Sequence, residues 1–321
     1  MAMNNRPLTT PEVPQQFLEA VYLVGHIPQR ALATDPRVSY ALYVPPQHYN
    51  PDPNGSSSGN NHLARLPLLV YLHSTRRNIS PIHNELVPFA QSTPCAILAP
   101  LFPSNIDGPN DLDSYKVLRS STLRSDLAFL SILGEIAQCW PGIETNKVFL
   151  MGFSGGAQFA HRFLYLYPER LAAVSVGAPG QVTMLDDSQS WPRGVADAES
   201  LFNRTIQKDL IKQPRIQLVV GSEDVNVHGG KEFAEWLKKM KARRNHHERD
   251  GAGDKDKDEV PSMKHGRLDT LRRLHTLWKQ DGIEAQLDVV EGVAHVAGGV
   301  RECVLAFLQP LMQKLDQRRS I

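Results

Sequence analysis

Five short, unbroken apolar runs, each bounded by turn residues, set the limits on what this chain can become. They lie at residues 66–72 (LPLLVYL), 95–99 (CAILA), 147–151 (KVFLM), 171–176 (LAAVSV) and 216–220 (IQLVV). Runs of this length suit strands covered on both faces, as in a parallel sheet. Residues 37–43 (RVSYALY) instead alternate Val38, Tyr40 and Leu42 with polar or small neighbours, the mark of a half-buried strand. Residues 285–290 (AQLDVV) read as a last strand. Between the strands the pattern turns helical, at 123–139, 157–167, 268–280 and 300–315. In the last of these Val300, Val304, Phe307, Leu311 and Leu315 share one face. Pro310 falls inside it and is expected to kink or break it. Strand and helix in alternation imply right-handed βαβ units: an α/β fold with a mostly parallel central sheet flanked by helices.

The chain of 321 residues shows no internal repeat and reads as a single domain over 1–321. Two stretches interrupt it. Residues 178–213 are too long for a simple connection between strands and read as a small lid insertion. Residues 238–258 (KKMKARRNHHERDGAGDKDKD) begin a flexible, charged insertion that reaches 262. Its basic half is followed directly by an acidic half, so a solvated insertion is the reading, rather than a nucleic-acid arm. A further polar loop lies at 54–62 (NGSSSGNNH).

Partners and compartment follow from charge and cysteines. Lys and Arg number 35 and Asp and Glu 34, leaving a net +1. That balance argues for no nucleic acid and no anionic membrane as partner. No apolar run approaches the roughly 18 residues that span a bilayer. Residues 1–13 lack the basic start and apolar core of a secretory signal. Cys95, Cys139 and Cys303 are odd in number and far apart, which fits buried apolar roles in a reducing compartment. A cytoplasmic protein is expected. The sequence holds no metal-ligand constellation and no dinucleotide fingerprint after a strand, so no metal and no cofactor is expected.

The chemistry centres on Gly152-Phe153-Ser154-Gly155-Gly156, a G-x-S-x-G match. An apolar strand runs into it and a helix pattern runs out, the setting of a nucleophile elbow. A Cβ at Gly152 or Gly156 would crowd neighbouring backbone in so tight a turn. Ser154 is then held with its Oγ exposed above the carboxyl edge of the sheet. An unreactive Gly/Ser-rich helix start is the plainer alternative. A serine hydroxyl needs a base to take its proton. In this architecture the partners follow in the order Ser, acid, His, each just after a later strand. Asp224 follows IQLVV and fits the acid, with Glu223 as its rival; His295 follows LDVV and fits the base. His246, His247 and His265 lie in or beside the charged insertion, His161 sits on the helix after the serine, and His228 shares the Asp224 loop. Each fits less well.

An oxyanion needs two backbone N–H donors. One is expected from Gly155. The other is expected from the loop after LPLLVYL, which reads His73-Ser74-Thr75-Arg76-Arg77-Asn78, at Thr75 with Ser74 as rival. Arg76 and Arg77 could bind a substrate carboxylate, against the commoner surface or salt-bridge roles.

With LLVYLHST, KVFLMGFSGGAQFAHRF, LVVGSEDV and VVEGVAHVAGG, the chain resembles the α/β-hydrolase superfamily over about residues 66–315, in the region of esterases, depolymerase-like and peptidase-like hydrolases. The resemblance implies the α/β-hydrolase fold, a Ser154–His295–Asp224 triad and Gly155 as an oxyanion donor. Two positions depart from the pattern. Ser74 stands where a glycine usually follows the loop histidine, and Val296 follows His295 where a small or acidic residue is usual. Phe153, Trp191, Phe202 and Arg76 are candidate substrate contacts; Trp191 and Phe202 packing the lid onto the body is the alternative. The expected activity is a serine hydrolase for a small-molecule ester, lactone or thioester, through an acyl-enzyme on Ser154. Two alternatives keep the fold: a non-hydrolytic enzyme (C–C cleavage, condensation or cyclisation) or a ligand-binding pseudoenzyme.

Overall fold

A computed structural model describes residues 6–53, 65–226, 235 and 266–319, with side chains to residue 314. The polar loop 54–62, the charged insertion 238–262 and His228, His246, His247 and His265 lie outside the described residues. The strands are β1 (Gly25–Leu32), β2 (Asp35–Val44), β3 (Leu68–Leu72), β4 (Ala96–Leu101), β5 (Val148–Phe153), β6 (Leu171–Gly177), β7 (Arg215–Gly221) and β8 (Gln286–Val290). The helices are α1 (Pro81–Asn84), α2 (Val87–Ser92), α3 (Ser125–Cys139), α4 (Gly155–Leu166), α5 (Ala198–Phe202), α6 (Lys208–Ile211), α7 (Arg267–Gln280) and α8 (Ala297–Arg319). One eight-stranded sheet has the order β1-β2-β4-β3-β5-β6-β7-β8. β2 runs antiparallel to both β1 and β4, and from β4 through β8 every pairing is parallel.

The apolar runs become central strands because alternate residues serve two cores. In β3, Leu68, Val70 and Leu72 face one cluster while Leu69 and Tyr71 face the other. Helices α3, α4 and α7 close the first core through side chains such as Phe129, Phe163 and Trp278. Helices α1, α2 and α8 close the second through Ile82, Ala90 and Leu308. Each fully covered Leu, Val or Phe contributes roughly 1.5–3 kcal/mol, so a strand whose two faces are both apolar is held from both sides.

Two elements differ from the sequence reading. β1 has no clear periodicity, because Pro28 interrupts it. Its pairing with β2 slips between Ile27 and Arg30, so the residue without an N–H sits in an irregular stretch of an edge strand. Pro310, in turn, does not break α8, which runs over 23 residues. Proline in a helix interior costs about 3 kcal/mol. Here it faces solvent, while Val300, Val304, Leu308 and Met312 form a buried stripe on both sides of it. The burial of these four outweighs that cost. Phe307 and Leu311 are only half-buried beside the stripe, and the Leu315 side chain lies outside the described ones. No helix among the described residues is long and apolar enough to cross a membrane. The three cysteines are free thiols, Cys95 and Cys139 buried and Cys303 half-buried.

The chain steps from β3 outward to β4, then back across β3 to β5. The connections leaving β3 and β5 therefore diverge. In open α/β sheets that point leaves a crevice beyond the carboxyl ends of the strands.

Candidate active site

Ser154 stands in that crevice. β5 delivers it, and its backbone is left-handed, with φ 56° and ψ −110°. A non-glycine residue adopts such a φ only when its surroundings enforce it. The Ser154 N–H donates to the Gly177 carbonyl (2.8 Å), and the Ser154 carbonyl accepts from the Gln158 N–H (3.2 Å) as α4 begins. The turn closes because strand and helix touch backbone to backbone. A Cβ on Gly156 would overlap the Leu72 carbonyl, and one on Gly152 would overlap Gly156 itself.

The loops after β7 and β8 are stitched together. The Ser222 N–H donates to the Val290 carbonyl (2.9 Å) and the Glu223 N–H to the Val293 carbonyl (3.0 Å). This brings His295 Nδ1 to 2.6 Å from Asp224 Oδ2. Asp224 is only 2% exposed, whereas Glu223 faces solvent. Burial holds the His295 imidazole below the usual histidine pKa. The Asp224 hydrogen bond opposes that shift, and the Arg267 and Arg76 charges add to it. The ring is thus neutral near pH 7, with Nδ1–H donated to the carboxylate and Nε2 left as a base. Its ring lies tilted against that of Phe153, with ring centroids 4.8 Å apart. Ser154 Oγ and His295 make no direct hydrogen bond among the described residues.

The loop after β3 forms the other wall. His73 is fully buried; its Nδ1–H donates to the Ser74 carbonyl (2.9 Å) and its Nε2 accepts from the Phe102 N–H (3.1 Å). Burial pushes its pKa down to about 3, so it is a neutral bracket for the loop. Arg77 spends its guanidinium on main-chain carbonyls, of Thr75 (3.0 Å), Phe102 (3.1 Å) and Pro103 (3.0 Å). With the Thr75 carbonyl so tied, the Thr75 nitrogen lies 2.9 Å from where a Cβ on Gly155 would stand. The Gly155 and Thr75 amides are thereby neighbours across the crevice.

No protein-family model and no curated protein sequence matches the chain. Solved structures do match in shape. A poly(3-hydroxybutyrate) depolymerase from Bordetella parapertussis superposes with a TM-score of 0.58 at 19% identity, over 92% of this chain and 94% of that one. Poly(aspartic acid) hydrolase-1 from Sphingomonas sp. KT-1 gives 0.56 at 18%, over 84% and 92%. An S-formylglutathione hydrolase from Agrobacterium tumefaciens gives 0.53 at 14%, over 90% and 99%. The chain has the α/β-hydrolase fold.

In this α/β-hydrolase fold the remaining sequence-selected residues fall in different places. Phe153 is half-buried between sheet and imidazole, and Arg76 is exposed on the loop after β3. Trp191 and Phe202 turn toward the body. Their rings pack edge to face at 4.9 Å, Trp191 Nε1 donates to the Val117 carbonyl (2.8 Å), and Phe202 is buried beneath the Arg124 guanidinium. His161 is locked inside α4 and the segment that follows β6. Its Nδ1–H donates to the Ala157 carbonyl and its Nε2 accepts from the Thr183 N–H. Among the described residues no group of three or more His, Cys, Asp or Glu could hold a metal ion.

Sequence reasoning missed Tyr115 and Lys116. Both approach Gly155 from the irregular stretch between β4 and α3 of the α/β-hydrolase fold; the Lys116 Cε would stand 3.0 Å from a Cβ on Gly155. No motif or periodicity marks them. A surface cleft of about 620 Å³, lined by Lys212, Arg215, His275 and Lys279 among others, lies at the amino ends of β7 and β8, the opposite edge of the sheet.

Proposed function

We propose that the protein is a serine hydrolase that cleaves a small or medium carboxylic ester, lactone or thioester through an acyl-enzyme on Ser154. One observation carries the reading: a buried carboxylate 2.6 Å from an imidazole that lies against Phe153, the neighbour of a serine held in left-handed backbone. In this reading the substrate carbonyl sits over Ser154. His295 Nε2 takes the Oγ proton as Oγ attacks, while Asp224 orients the ring and stabilises the imidazolium. The Gly155 and Thr75 N–H groups receive the developing oxyanion. The imidazolium then protonates the leaving oxygen or sulfur. Water, deprotonated by His295, attacks the acyl carbon, and the acid leaves with Ser154 restored. The Ser154–His295 contact forms as substrate binds, since such hydrogen bonds are often long in ligand-free sites and tighten in the complex. The solved structures of like fold named above are a depolymerase and two hydrolases, which fits this chemistry and leaves the substrate open.

A fluorophosphonate probe tests the nucleophile directly. Mass spectrometry of the labelled, folded protein should find the adduct on Ser154, and Ser154→Ala should abolish it. Folded protein that takes up no probe would remove the case. Turnover that survives Ser154→Ala but not His295→Ala would point to non-hydrolytic chemistry instead.

A further inference from the structure

The wall of the crevice formed by the β3 loop carries more positive charge than the proposed reaction uses. Three cations meet there: Arg77, Lys116 and Arg162. Arg162 is fully buried and has no carboxylate partner. Its Nε donates to Thr183 Oγ1 (2.9 Å) and its Nη1 to the Lys116 carbonyl (2.8 Å), while Nη2 is buried with no hydrogen-bond partner. Arg77 is spent on main-chain carbonyls. Two carboxylates, Asp111 and Asp113, share the neighbourhood. Asp111 is occupied: Oδ1 accepts the Asp113 and Ser114 N–H groups, and Oδ2 those of Ile106 and Asp107. Asp113 pairs with the Lys116 ammonium from outside, with its side chain 74% exposed against 8% for Lys116. These three cations outnumber the two carboxylates, and the exposed Arg76 on the same loop adds to the positive charge, so this wall favours an anion.

The position of the lysine matters as much as its charge. Its Cε, the Tyr115 hydroxyl and the Thr75 nitrogen all crowd the space that a side chain on residue 155 would fill. The ammonium stem therefore runs beside the amides assigned above to the oxyanion. On the opposite side Val225 and Val296, which follow Asp224 and His295, are each more than half exposed. An Asp113 so exposed gains little from its pair, so an arriving carboxylate can exchange with it at small cost. A buried ammonium that swaps partners retains a charge-assisted hydrogen bond throughout.

We propose that the substrate of this site is an ester bearing a carboxylate, and that the Lys116 ammonium recognises that carboxylate by displacing Asp113. This rests on the serine-hydrolase reading above, and the test separates the two. Two chromogenic esters of equal carbon count serve as probes: mono-4-nitrophenyl adipate, which ends in a carboxylate, and 4-nitrophenyl hexanoate, which ends in a methyl group. The readout is the ratio of their kcat/KM values. The wild-type ratio should favour adipate by about tenfold or more, as expected for a charge-assisted contact in a sheltered site. Lys116→Met should lower the ratio about tenfold, mainly through the KM for adipate. Asp113→Asn, which removes the competing carboxylate, should raise it. A wild-type ratio at or below one, or a ratio moved by neither variant, overturns the proposal. If Lys116→Met gives no cooperative melt, Asp113→Asn decides by the direction of its change. Protein that labels on Ser154 yet shows no preference for adipate sinks this inference alone, whereas protein that neither labels nor cleaves either ester sinks the hydrolase reading with it.

Discussion

On one flank of Ser154, Asp224 and His295 lie just past the ends of the adjacent parallel strands β7 and β8. On the other flank, Thr75 rides on the exit of β3 while Tyr115 and Lys116 reach in from the irregular residues 102–124. The first flank is positioned by the sheet: two neighbouring strands end side by side, and two main-chain hydrogen bonds join the loops that carry the two side chains. The second has no such frame. It is held by polar groups, the buried, neutral His73 and the half-buried Arg77 guanidinium, each satisfied by main-chain atoms. Sheet-positioned groups tolerate change around them. A polar bracket fails as a unit when one member is removed.

The largest effect should come from the sheet-built flank, because it would carry the proton. His295→Ala or Asp224→Asn should lower kcat/KM for any ester by on the order of 10⁴, with little change in thermal midpoint. Steady-state hydrolysis of a 4-nitrophenyl ester beside a thermal melt checks this; activity within tenfold of wild type would break the assignment.

The bracketed flank should respond differently. Arg77→Met strips the Thr75, Phe102 and Pro103 carbonyls of their donor and frees the loop that carries the Thr75 amide. The expected fall in kcat is on the order of 10², as for the loss of one oxyanion donor. Unlike the histidine variant, this one should also melt several degrees lower. Unaltered stability would show that the bracket is not what holds the loop.

The smallest effect concerns pH. His295 must be neutral to accept a proton, so kcat/KM falls as pH drops through its pKa. Burial, with the Arg267 and Arg76 charges, holds that pKa below the ordinary histidine value of 6.5. The acid limb should therefore lie on the acidic side of 6.5. Arg76 is exposed, so Arg76→Gln should move the limb only slightly upward, and the difference should vanish in high salt. A limb at or above 6.5 in the wild type would contradict the environment described for His295.

The same contrast explains what was legible in the sequence. The runs that became β3 to β7 could be read because both their faces are covered. The strand–turn–helix at Ser154 could be read because its glycines are demanded by backbone contact, and the Asp224–His295 pairing because strand ends fix chain order. β1 was hidden by Pro28 and by its edge position. The buried face of α8 turned from Phe307 and Leu311 to Leu308 and Met312, since periodicity alone does not say where the sheet lies. Lys116 was invisible for a deeper reason. Its meeting with Gly155 is made by a stretch without regular structure, whose path depends on buried hydrogen bonds that no local pattern records.

The twist at residue 154 has one more implication. A side-chain-bearing residue in that backbone shape costs about 1–3 kcal/mol. Glycine adopts it without penalty and loses only roughly 0.5–1 kcal/mol to its own extra chain freedom. A Ser154→Gly chain should thus be the sturdier molecule and, on the proposed chemistry, an inert one. Any laboratory screen that rewarded heat resistance while ignoring turnover would be pulled toward that exchange, and toward silence.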